Sequence, residues 1–253
     1  MAHYFRPPLI VILLASALLG SLVGNIVLYR ANYQSFKTIN AVRLDPLNLA
    51  KYADQPGWLD PNSPQLKAVW YGDSRALQWS FPPGGERFQF LNRGISYQTS
   101  AQVLLRYAVD IEPLQPDLIV LQVGINDLKT IALFPQDSTA IIANCQRNLQ
   151  AIVAKAQQAE VTVVLTTIFP PGDQPRLHRL IGSTAVDQAI EEVNTLIRSL
   201  AGADVIVFDS AALLADARGK VQPAYQFDHL HINAAGYALL NQELLLLLNT
   251  LNF

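Results

Sequence analysis

From Leu66 to Asn249 the chain alternates short apolar runs with longer amphipathic stretches, a pattern that few folds accept. The runs Leu66 to Tyr71, Phe88 to Leu91, Leu118 to Val123, Val161 to Ile168 and Val205 to Phe208 read as strands. The stretches Ser100 to Val109, Thr139 to Gln158, Thr184 to Leu200 and Ala234 to Asn249 read as helices. Such an order is that of βα units, so an α/β fold around a five-stranded parallel sheet is expected. Two helix starts are marked: Thr99 with Gln102 forms a capping box, and Asn233 stands where it caps the last helix. Charged residues are 15% of the chain, below the roughly 25% of average proteins, and the formal net charge is -2. A chain so balanced has no positive field to gather phosphates, which argues against a nucleic-acid partner. The single cysteine, Cys145, cannot form an internal disulfide.

The amino-terminal segment has a different character. Leu9 to Leu28 is a run of 20 residues without a charge, of which 15 are apolar. As a helix it covers about 30 Å, the hydrocarbon thickness of a bilayer. A cleaved signal peptide has a shorter apolar core, typically about 7–15 residues, followed by a small-x-small site. Here Ala15-Ser16-Ala17 lies inside the run. Residues 1–30 are therefore read as a tail and an uncleaved transmembrane helix. Residues 31–65 carry Pro46, Pro56, Pro61 and Pro64 with no sustained period of 2 or 3.6, and read as a stalk or linker; residues 66–253 form the folded domain. Arg6 precedes the span while Arg30, Lys37 and Arg43 follow it, a count that favours a cytoplasmic body.

In a doubly wound parallel sheet, ligands bind beyond the carboxyl ends of the strands, so residues at those ends come first. The first strand runs into Gly72-Asp73-Ser74, which places Ser74 at a strand-to-helix turn as a candidate nucleophile. A turn followed by a helix cap gives the same tripeptide. The second strand ends at Gly94, where the missing side chain lets a backbone N–H approach a ligand, or simply turns the chain. After the third strand, Gly124-Ile125-Asn126-Asp127 offers the Asn126 amide as a donor, with a helix cap as the plain alternative. Asp127 either orients Asn126 or caps a helix. The only base in reach of such a serine comes from Asp228-His229-Leu230-His231. Asp228 can fix the tautomer of His231, whose other nitrogen takes the serine proton. His229 competes, but its direct neighbour Asp228 has restricted reach toward it. A metal reading of Asp228, His229 and His231 lacks a further ligand at suitable spacing.

Together these four blocks, in order and each at a loop, resemble the SGNH hydrolases, the GDSL esterase/lipase family, over roughly residues 66 to 245. The resemblance implies a three-layer α/β/α flavodoxin-like fold and an enzyme with neither metal nor organic cofactor. It implies that Ser74 attacks an acyl carbonyl, that His231 is the base oriented by Asp228, and that the oxyanion rests on the N–H groups of Ser74 and Gly94 and on the Asn126 amide. It also suggests an exported enzyme, against the charge count, and an extracytoplasmic domain is the expectation adopted. Arg75 departs from the leucine of the family's name-giving motif. It is expected either as a solvated helix residue or as a positive charge at the pocket mouth that favours acidic substrates. Arg176, His178 and Arg179 follow a proline-rich loop and are read as solvated or as receivers of an anionic head group. The run Leu244 to Leu248 is expected to pack on the sheet, with lipid contact as the alternative.

The expected function is a membrane-anchored serine esterase acting on a small-molecule, lipid or glycan acyl ester. An acyltransferase using the same triad to modify a surface glycan, and a non-catalytic binding module on the same fold, are the alternatives.

Overall fold

The computed structural model describes residues 8–55, 57–58, 60, 62–172 and 184–251. Arg176, His178 and Arg179 lie outside the described residues. The chain divides into two compact units, residues 1–48 and 49–253.

In the first unit one helix, α1 (Leu9–Leu44), runs through the whole apolar stretch and 16 residues beyond it. It buries no residue. Its uncharged part is long and apolar enough to cross a membrane, a property that a signal sequence shares. The helical extent beyond Leu28 differs from the expectation of an aperiodic linker. Tyr29, Tyr33, Phe36 and Ile39 keep a helical spacing here, and the helix stops at Leu44, two residues before Pro46.

The second unit is built from β1 (Leu66–Gly72), α2 (Ser74–Leu77), β2 (Phe88–Gly94), α3 (Ser100–Asp110), β3 (Leu118–Gln122), α4 (Ile125–Leu128) and α5 (Ser138–Gln158). There follow β4 (Thr162–Thr166), α6 (Thr184–Ser199), β5 (Val205–Phe208), α7 (Ser210–Leu214) and α8 (Ala234–Thr250). The five strands form one parallel sheet in the order β2-β1-β3-β4-β5. Alternate strand residues face opposite ways, which makes two cores. Val69, Tyr71, Ile119, Leu121, Val163 and Leu165 pack under α3, α5 and α6. Ala68, Trp70, Leu118, Val120 and Val164 pack on the other face with Leu240, Leu244 and Leu248 of α8. The leucine-rich run of the last helix thus covers the sheet. The result is the expected three-layer α/β/α architecture, and both marked helix starts are present. Thr99 and Gln102 form the capping box of α3, and Asn233 Oδ1 accepts the Gly236 N–H at the start of α8.

This unit begins at Leu49, not at residue 66. Tyr52 is buried and Trp58 packs against the core on the α3 side. The Trp58 indole donates to the Leu114 carbonyl at 2.7 Å, and Gln89 Nε2 donates to the Asp60 carbonyl at 2.9 Å. Two aromatic side chains in a proline-rich segment supply the apolar area that holds it down.

The register puts the ends of β1, β2 and β3 at one level, with Gly72 opposite both Gly94 and Gln122. Gly72 has φ +148°, and a Cβ there would meet the Gln122 carbonyl oxygen at 1.9 Å. Only glycine lets β1 turn sharply at this level and hand the chain on to Asp73 and Ser74.

Candidate active site

Ser74 opens α2 and is 8% exposed. Its Oγ lies 2.9 Å from Nε2 of His231. Nδ1 of the same ring contacts Asp228 Oδ2 at 2.8 Å and Oδ1 at 3.1 Å. With the Nδ1 hydrogen directed to that carboxylate, Nε2 is left to accept the hydroxyl proton. Asp228 is held in its own turn: Oδ1 accepts the N–H groups of Leu230 at 2.7 Å and His231 at 2.8 Å. Burial raises the Asp228 carboxyl, yet the His231 ring and these two N–H groups together keep it below its ordinary range. The structure thus brings Ser74, His231 and Asp228 into one hydrogen-bonded chain. It does not bring in His229, which is exposed and whose carbonyl receives the Gly172 N–H. Among the described residues no three His, Cys, Asp or Glu side chains gather as a metal site.

Around the Ser74 hydroxyl the expected donors divide. The Ser74 N–H begins a single helical turn and has no acceptor among the described residues. A helix this short carries little macrodipole, so the free N–H, not the helix field, is what it offers to negative charge. Asn126 is buried; one Nδ2 hydrogen goes to the Gln98 carbonyl at 3.0 Å, leaving the second free, and its Oδ1 receives Lys129 Nζ at 2.6 Å. Burial lowers the Lys129 ammonium from its usual range, while the Asp73 charge opposes that shift and Arg75 adds to it.

Gly94 is a correction. Its N–H donates to Asn92 Oδ1 at 2.8 Å and its carbonyl accepts from Tyr52 Oη at 2.5 Å and Lys51 Nζ at 2.9 Å, so no donor remains for a ligand. Glycine stands here for space: a Cβ would lie 2.3 Å from the Leu77 nitrogen and 2.6 Å from its Cα, pushing the end of β2 off the turn that carries Ser74. Gly94→Ala should lower stability by about 1–3 kcal/mol, as overpacking does. A shift of the urea midpoint checks this; an unchanged midpoint contradicts it.

Three residues later the same loop does carry a backbone N–H without a partner among the described residues. Tyr97 has φ +67°, uncommon for a residue with a side chain, and is 83% exposed. Its N–H finds no acceptor among the described residues. The next carbonyl, that of Gln98, is the one Asn126 holds, so this stretch of backbone runs beside the Asn126 amide. Glycine is the usual sign of such a conformation, and tyrosine gives none.

Arg75 is the second correction. It is fully buried, neither solvated nor at the mouth. Nη1 donates to the Phe169 carbonyl at 2.7 Å and Nε to the Leu230 carbonyl at 3.0 Å, while the guanidinium stacks 3.7 Å above the Phe169 ring. It ties the turn after β1 to the loop after β4 and to the residue before His231. Beside it Asp73, also fully buried, accepts the Arg75 N–H at 2.8 Å. Burial pushes the Asp73 carboxyl up to about 6, with the Arg75 charge and N–H pulling against the shift. Asp127 does not contact Asn126 through its carboxylate. It accepts Ser100 N–H at 2.8 Å and Ser100 Oγ at 2.6 Å, capping α3 from outside.

Comparison with known proteins places this site in context. Residues 57–239 match the sequence model of the GDSL-like Lipase/Acylhydrolase family. No curated protein matches the chain. Among solved structures, a Bacteroides fragilis protein assigned as an acylhydrolase is 24% identical with a TM-score of 0.65, covering 81% of this chain and 97% of its own. A GDSL-like lipase of Bacteroides thetaiotaomicron is 21% identical with a TM-score of 0.64, covering 80% and 98%. An acetyl xylan esterase is 21% identical with a TM-score of 0.56, covering 72% and 99%. At these identities the three structures speak for the fold.

Proposed function

The chain belongs to the GDSL-like lipase/acylhydrolase family, and from that premise we propose that it is a membrane-anchored serine esterase that hydrolyses acyl esters of a lipid or a carbohydrate through an acyl-enzyme on Ser74. The observation that carries this reading is the 2.9 Å contact between Ser74 Oγ and His231 Nε2, made across 157 residues of sequence.

The reaction follows from the contacts. His231 Nε2 takes the Ser74 proton as Oγ attacks the ester carbonyl, and Asp228 stabilises the imidazolium that forms. The carbonyl oxygen, now negative, is met by the N–H groups of Ser74 and Tyr97 and by the free Nδ2 hydrogen of Asn126. Such donors act on charge that exists only at the transition state, and removing one typically costs about 10²–10³ in rate. Collapse breaks the bond to the alcohol, which leaves with the proton from His231. Water then repeats the sequence on the acyl-serine and releases the acid.

The uncharged part of α1 supports the anchor, and the family resemblance, against the count of Arg30, Lys37 and Arg43 after the span, is the ground for proposing the domain on the extracytoplasmic side. The acetyl xylan esterase among the structural neighbours favours including acetylated carbohydrate among the substrates tested. Membranes from cells expressing the full chain should keep it through a carbonate wash. They should also release acid from a panel of acetyl, butyryl and long-chain esters, lysophospholipid and acetylated xylan. Hydrolysis of no member of the panel, or loss of the chain to the wash, would contradict the corresponding half of the proposal. A reporter fused after Phe253 and active on only one side of the membrane tests the topology.

A further inference from the structure

One cation beside the site has no part in the reaction as derived. Lys129 follows α4 directly, and its half-buried ammonium meets the oxygen end of the Asn126 amide, not the nitrogen that carries the free hydrogen. Nζ donates to Asn126 Oδ1 at 2.6 Å and sits 5.8 Å from the centre of the Tyr97 ring. The two partners of the Asn126 side chain are of opposite kind. An ammonium can only donate and must take the oxygen, whereas the Gln98 carbonyl can only accept and must take the nitrogen. The two ends of an asparagine amide have nearly the same shape, so its orientation is set by such partners. An ammonium on the amide oxygen also draws electron density from the nitrogen, which strengthens the remaining N–H as a donor in the way that charge-assisted hydrogen bonds are strengthened.

We propose that Lys129 is a positioning residue of the oxyanion site: it fixes the Asn126 amide with a nitrogen hydrogen toward the reacting carbonyl and reinforces that hydrogen bond as the oxygen becomes negative. The proposal rests on the reading of Asn126 as an oxyanion donor. Lys129 touches no reacting atom in this scheme. Because the bond it strengthens matters most after charge has developed, its removal acts on kcat and leaves KM nearly unchanged.

The test uses the full chain in detergent, with 4-nitrophenyl acetate as probe and the thermal midpoint recorded for each variant. Lys129→Met should lower kcat about ten- to thirtyfold, a fraction of the 10²–10³ expected for losing the donor itself, with KM within about twofold. Lys129→Arg, which keeps a cationic donor, should recover most of the rate. In an Asn126→Ala background, Lys129→Met should change kcat by less than about twofold, since nothing is left for the lysine to position. Should Asn126→Ala abolish measurable turnover, the kcat-against-KM split and the arginine rescue decide alone. Three results overturn the proposal: a loss confined to KM, an equal loss in both backgrounds, or an unaffected kcat in Lys129→Met. If Asn126→Ala itself keeps full activity, the oxyanion reading falls and takes this proposal with it. If Asn126→Ala is crippled while Lys129→Met is not, only the role of Lys129 falls.

Discussion

Ser74→Ala should leave a folded protein whose ester hydrolysis falls by about four to six orders of magnitude, the scale seen when a serine nucleophile is removed from a triad. The hydroxyl supplies the attacking oxygen, and nothing else at the site can replace it. His231, Asp228 and the oxyanion donors would remain but have no nucleophile to activate. The structural cost is small by comparison. Among the described residues the Ser74 side chain makes one hydrogen bond, to His231, and a lost hydrogen bond of this kind is worth about 1 kcal/mol. For a unit of this size that moves the thermal midpoint by about 2–4 °C. Initial rates and a melting curve on the same preparation separate the two effects, and a variant that keeps more than about a hundredth of the activity would contradict the assignment.

Arg75→Leu, which restores the residue of the family's name-giving motif, should instead strike the fold. Removing one partner from a buried charged group typically costs about 3–5 kcal/mol. Here the loss leaves the Phe169 and Leu230 carbonyls without their donor and Asp73 without its neighbouring cation. The thermal midpoint should drop by about 6–20 °C. Activity should fall as well, because the Leu230 carbonyl anchors the turn that presents His231. The pH dependence has a definite sign. The folded Asp73 carboxyl lies at about 6, above its unfolded value, so its contribution to stability is fully present below the unfolded pKa and is lost as the pH rises through about 6. Without Arg75 the carboxyl rises further and the ionised form becomes more costly. The variant's deficit should therefore be larger at pH 8 than at pH 5, as read from urea unfolding at the two values. Equal deficits would mean that Asp73 does not feel the arginine.

The difference between Ser74 and Arg75 shows what a sequence can and cannot carry. The strands were legible because each is a short apolar run with both faces covered, and their ends fall within a residue or two of the expected ones except at the end of β2, which Asn92, Arg93 and Gly94 extend. The strand ends then pointed to Ser74 and Asn126 and the loop before the last helix to Asp228 and His231, while their roles came from the resemblance of the four blocks taken together. Arg75 was misread because its partners are backbone carbonyls 94 and 155 residues away, which no local pattern marks. Gly94 drew attention for lacking a side chain, but the space serves packing against Leu77, and the positive φ lies at Tyr97, a residue type that hides it. In α1 the helix runs on through Leu44 with Tyr29, Tyr33, Phe36 and Ile39 at helical spacing, a short period that is lost when residues 31–65, with their four prolines, are read as one segment.

The proposed mechanism makes His231 the base that turns the Ser74 hydroxyl into a nucleophile. Its most direct test is to treat the full chain with a fluorophosphonate and map the adduct by peptide mass spectrometry. One adduct is expected, on the peptide that carries Ser74, with esterase activity falling in proportion to labelling. An adduct on another residue, or undiminished ester turnover by protein fully labelled at Ser74, would contradict it.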